Sequence, residues 1–133
     1  MVDVESRVFT AVHLAVTTSY PSAKVESTLN LSPSAFPFVS VEEIDNQTYD
    51  GTVDSESNEN HVAVTYEVNV YSNKAEGKKA EAKAIFTIID DVMLGMGFTR
   101  SMRQPVNMDD STKYRIISRY RAVISKDYKF YRR

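Results

Sequence analysis

The chain has 133 residues, 42% of them hydrophobic and 26% charged, with four Gly, four Pro and no Cys, a composition that describes one globular domain with no room for a second. Without a thiol, and with His13 and His61 as its histidines, a zinc site would need carboxylates throughout and cysteine catalysis is excluded. The net charge of −2 conceals two unlike halves: residues 1–60 carry −8 and residues 61–133 carry +6. Such asymmetry points to contact with an oppositely charged surface, whether nucleic acid, a partner protein or a second copy.

Asp3 and Glu5 precede the first apolar stretch, and no apolar run approaches the ~18 residues of a membrane span, so neither a signal peptide nor membrane contact is expected. Val8, Phe9, Val12, Ala15 and Val16 follow one helical face and predict a helix over residues 4–18, with Asp3 as its cap and Pro21 as its stop. Residues 24–31 put Val25, Leu29 and Leu31 on one side of a weak strand. Residues 36–44 are rich in aromatic and β-branched side chains and predict a firmer strand, with Pro37 at its start or on an edge. Residues 45–60 are dominated by Asp, Asn, Ser and Glu and read as a long acidic loop.

The strict alternation of Val62, Val64, Tyr66, Val68 and Val70 predicts a strand over 61–71 with one face on a core. Ser72 or Asn73 then suits a helix N-cap, and Ala84, Ile85, Ile88, Ile89, Val92 and Met96 make a helical stripe opposite Lys78, Lys79, Glu81 and Lys83. Gly97 fits a left-handed cap with Phe98 folding back, which ends the helix near residue 96. Residues 99–109 read as extended, with Pro105 as an interruption and a turn at Asp109, Asp110 and Ser111. In the last strand, 113–125, Tyr114, Ile116, Tyr120, Ala122 and Ile124 share one face, and Arg115, Arg119 and Arg121 the other. The order α-β-β-β-α-β-β predicts an α+β fold, a largely antiparallel sheet of four to five strands with both helices on one face.

No catalytic signature emerges. The glycines form neither a phosphate loop nor a dinucleotide fingerprint, no serine sits in GxSxG, and no cofactor is expected. Asp90 and Asp91 point about 100° apart on a helix, so they cannot chelate one ion and read as solvated positions. Asp109 and Asp110 read as turn residues, and His13 as a surface histidine. With no nucleophile and base in view, an enzyme is not expected. The C-terminal stretch interleaves Arg115, Arg119, Arg121, Lys126, Lys129, Arg132 and Arg133 with Tyr114, Tyr120, Tyr128, Phe130 and Tyr131. It suits either a nucleic-acid track or a strand whose cationic face meets a partner.

The runs FPFVSVEEID (36–45), VTYEVNVYSN (64–73), KKAEAKAIFTIID (78–90), MLGMGFTR (93–100) and YRIISRYRAVI (114–124) resemble, in order and spacing, tail terminator proteins of long-tailed bacteriophages and related phage-tail-like particles. The resemblance implies a structural virion protein, made in the host bacterial cytoplasm, that forms a hexameric ring at the head-proximal end of the tail tube. The ring stops tube polymerisation and offers a docking surface for head–tail joining. Its implied partners are other copies of itself, the tail tube protein, neck or head connector proteins, sheath where the tail contracts, and viral DNA passing through the lumen. On that reading Arg115, Arg119, Arg121, Lys126 and Lys129 are expected on an inter-subunit or lumen surface, and Asp50, Asp54, Glu56 and Glu59 on a docking loop. A neck or head-completion connector of the same virion, and a small nucleic-acid-binding domain using the basic C-terminus, are the alternatives.

Overall fold

A computed structural model of the chain describes residues 4–28, 33, 35–48, 61–106, 112–125 and 130–131. Its first helix, α1 (Glu5–Ser19), buries Val8, Val12 and Val16 as the spacing predicts, and Val4, its N-cap residue, joins them in the core. The Tyr20 N–H bonds back to the Val16 carbonyl before Pro21 takes the chain away. The predicted Asp3 cap lies outside the described residues, as do Leu29 and Leu31 of the weak strand, whose described part is β1 (Lys24–Glu26).

β2 (Phe38–Thr48) begins just after a cis Phe36–Pro37 bond, and the Pro37 carbonyl accepts the Lys24 N–H. The strand also corrects the expected boundary of the acidic loop, because residues 45–48 belong to it. Asp45, Asn46, Gln47 and Thr48 pair with Thr65, Val64, Ala63 and Val62 of β3 (His61–Ser72). Ladder hydrogen bonds to β3 satisfy backbone groups that a polar composition alone would have left to water. The register shifts between Glu43 and Asp45, so Ile44 is the extra residue of a bulge and stands 42% exposed.

The second helix, α2 (Lys78–Met96), starts later than the proposed caps. Its N-cap is Gly77 at φ 89°, while Ser72 ends β3 and donates from Oγ to Glu81 Oε1 at 2.7 Å. Its buried stripe is Ala82, Ile85, Phe86, Ile89 and Met93; Ile88, Val92 and Met96 flank it half-buried, and Ala84 faces solvent. The helix ends as expected. The Phe98 N–H reaches the Met93 carbonyl and the Gly97 N–H the Leu94 carbonyl, with Gly97 at φ 115°.

β4 (Thr99–Val106) and β5 (Tyr114–Ser125) follow, and a two-residue β6 (Phe130–Tyr131), which the sequence pattern did not announce, pairs with Ile124 and Val123. The sheet order is β1-β2-β3-β5-β4, antiparallel except for β1 against β2, with β6 on β5 past the end of β4. Both helices pack on one face. There Val39, Val41, Val62, Val64, Tyr66, Val68, Val70, Ile116, Tyr120, Ala122 and Ile124 meet the α1 and α2 stripes in a single core. Fully buried Ile85 and Ile89 each contribute about 1.5–3 kcal/mol through lost contact with water. The α+β architecture is the predicted one, and no described helix is long and apolar enough to cross a membrane.

Candidate functional site

Strand alternation leaves a second face of the sheet without helices. Pairing aligns its side chains into rows: Phe38, Tyr71, Arg115 and Val106; Ser40, Asn69, Ile117 and Gln104; Glu42, Glu67, Arg119 and Met102; Asp45, Thr65, Arg121 and Thr99. Arg115, Arg119 and Arg121 therefore share this open face, at the alternate positions their spacing predicts. Their surroundings differ.

Arg119 donates from Nε and Nη2 to Glu67 Oε2, both at 3.1 Å, and the Glu67 side chain is 13% exposed. Asn69 donates from Nδ2 to the other Glu67 oxygen at 3.3 Å and accepts Arg115 Nε at 2.8 Å on its Oδ1. The Arg115 guanidinium also lies 5.3 Å from the Tyr71 ring centroid. One polar chain thus links two of the three arginines across β3 and β5. Arg121 is exposed and forms no ion pair among the described residues. Lys126, Lys129 and the docking-loop residues Asp50, Asp54, Glu56 and Glu59 lie outside the described residues.

One end of the open face is covered. Phe38, Ser40, Asn69 and Tyr71 are buried there, and Phe38 meets Tyr71 edge to face at 5.9 Å. The Tyr71 hydroxyl and Ser40 Oγ have no hydrogen-bond partner among the described residues. Burial raises the Tyr71 pKa above its ordinary value, against the opposing pull of Arg115 and with a smaller push from Glu67.

On the helix face, Asp90 departs from its sequence reading. It accepts the Tyr120 hydroxyl at 2.8 Å and pairs with Arg100 Nη1 at 3.0 Å, with its side chain 14% exposed. Asp91 does face solvent. Burial, reinforced by the bond to Asp90, pushes the Tyr120 pKa far above its ordinary value. Arg100 and Arg103 both lie over the Phe86 ring, at 5.8 and 4.9 Å. The sequence offered a signal for this cluster, since Arg100 follows the Gly97 cap closely and must return along the α2 C-terminal half. It offered none for the Tyr120–Asp90 bond, which joins residues 30 apart.

These groups bind one another, and no described arrangement sets a nucleophile against a base. No cluster of described His, Asp or Glu residues could hold a metal ion. A shallow groove between α1 and the α2 C-terminus is lined by Ser6, Arg7, Thr10, Ala11, Leu14 and Met96 and offers Arg7 as its single ionisable group. His13 is exposed on the same helix, 5.9 Å from the Phe9 ring. The sheet and its helices thus define an α+β domain whose distinguishing features, among the described residues, are charged surfaces.

No family model matches the chain, and no curated protein matches it. Among solved structures it is similar to a chain described as "Virion of native gene transfer agent (GTA) particle", with a TM-score of 0.63 and 18% identity, over 87% of this chain and 92% of that one. At that identity the likeness is one of fold, and it extends over nearly the whole of both chains.

Proposed function

We propose that the protein is a structural subunit of a phage-like virion, and specifically a tail terminator that rings the head-proximal end of the tail tube. The observation that carries the reading is the shared fold over 87% of this chain with a component of a gene transfer agent virion. The ordered sequence resemblance to tail terminators supports the finer assignment. In such a ring the work is done by surfaces, which accords with cations and carboxylates engaged in binding one another. Arg121 is the open-face cation available to a neighbouring subunit or to DNA in the lumen. Arg115 and Arg119, tied to Asn69 and Glu67, present a preordered polar surface beside it.

The test is electron microscopy of particles made without the protein. Overlong tails mean a lost terminator. Tails of normal length left unjoined to heads mean a connector, and would overturn the terminator assignment while leaving a virion role. Purified protein mixed with tail tubes should cap one end of each tube with a ring.

A further inference from the structure

Among the described residues, the sheet has two long edges with no strand against them, and their charges are opposite. β1 pairs with β2 at residues 38–40, so from Val41 onward the outer edge of β2 has no strand against it among the described residues. That stretch carries Glu42, Glu43 and Asp45 around the exposed Ile44 bulge, and no cation. The other edge is β4, which has no carboxylate of its own; its Arg103 is exposed, and its Arg100 is paired with Asp90 of α2. Exposed Lys83 and Lys79 lie one and two turns before Phe86 on α2, the ring that Arg103 covers at 4.9 Å, and extend the basic surface above the strand.

Neither edge is built to extend the sheet. The β4 register shifts between Arg100 and Met102, where Ser101 Oγ donates to the Arg119 carbonyl at 3.2 Å, and Pro105 lacks an N–H. β2 has its own bulge. Bulges and proline discourage continuous strand pairing, so contact through these edges must run through side chains. The edges are also three interstrand spacings apart, about 15 Å, on opposite sides of the sheet. A twofold edge contact would set like against like, acidic β2 on acidic β2 or basic β4 on basic β4, because edges on opposite sides of a sheet cannot both face one partner. Opposite edges on one chain call for a head-to-tail contact that repeats from copy to copy, and on the ring reading above that repeat closes.

We infer that the acidic β2 edge of one copy docks against the basic β4–α2 flank of the next, with Ile44 as the apolar centre of the contact. The partner of this surface is a second copy of the chain. The inference rests on the ring reading above and names the surfaces that build it.

The test uses two full-length variants. One carries Glu42→Lys and Asp45→Lys; the other carries Lys83→Glu and Arg103→Glu. Each is mixed with tail tubes and scored for capped ends by microscopy and for assembly by sedimentation. Each variant alone should lose at least tenfold in self-association, through like charges at every contact. An equimolar mixture should recover rings, because alternating copies restore opposite charges at both edges, and misfolded chains could not do so. Reversed variants that assemble as well as wild type, or a mixture that stays apart while wild type forms rings, would overturn the edge contact and leave the ring reading standing. Wild-type protein that forms no ring, alone or on tubes, would overturn both.

Discussion

Tyr71 and Tyr120 are both fully buried, on opposite faces of one sheet, and the same substitution should affect them in opposite directions. The Tyr120 hydroxyl donates to the Asp90 carboxylate, so Tyr120→Phe removes a bond to a charged group and is expected to cost about 1.5–3 kcal/mol in urea unfolding. The Tyr71 hydroxyl is desolvated without a partner among the described residues, so Tyr71→Phe should be neutral or stabilising by up to about 1 kcal/mol. The guanidinium of Arg115 over the ring survives that change. Both phenols have folded-state pKa values above the ordinary 10.0, which means the folded state holds their protons more tightly than the unfolded state. The stability they contribute is complete below pH 10 and falls as pH rises beyond it. Tyr120→Phe should accordingly flatten the alkaline limb of the stability profile, as urea midpoints measured from pH 8 to 11 would read. Arg119→Ala, by contrast, removes an ion pair whose arginine is 46% exposed, and should cost under about 1 kcal/mol.

Among the elements, α2 depends on how it ends. Gly97 sits at φ 115°, where a side chain meets its own backbone, and its N–H and that of Phe98 close the last turn. Gly97→Ala should lower stability by about 1–2 kcal/mol in the same assay, without altering the fold. This cap was legible in the sequence, because glycine after a long apolar stripe has few other uses. So was β5, where a period of two separates tyrosines from arginines over a dozen residues. The ends of β2 and α2 were not legible. Asp45, Asn46 and Gln47 carry loop composition, and what makes them a strand is pairing with Thr65, Val64 and Ala63 some twenty residues on. Ser72 looks like a cap and does bond the first turn of α2, yet it reaches Glu81 from the end of a strand. The site divides in the same manner. Alternation places three arginines on one face, but local pattern says nothing of Glu67 and Asn69, which engage two of them and leave Arg121 exposed.

At the scale of the molecule, charges of opposite sign on β2 and β4 come to different edges of a single sheet, Glu42, Glu43 and Asp45 on one and Arg100 and Arg103 on the other. Arg121→Glu places an unpaired carboxylate on the open face and should impair ring closure or tail completion while leaving urea stability within about 0.5 kcal/mol of wild type. Arg119→Glu sets two carboxylates together at Glu67 and should lower both. Tail length by microscopy beside unfolding curves would separate the two outcomes, and normal tails from both variants would remove the open face from assembly. The strand order carries a last consequence, for synthesis. β5 follows β4 in the chain, yet it lies between β3 and β4 and gives β6 its pairing partner. Until it arrives, β3 keeps a bare flank and β4 has no neighbour, so the sheet closes only after residue 125 has emerged. A nascent chain therefore cannot yet present its acidic and basic edges on one finished sheet, so the contact inferred between copies is open only to chains whose β5 is in place.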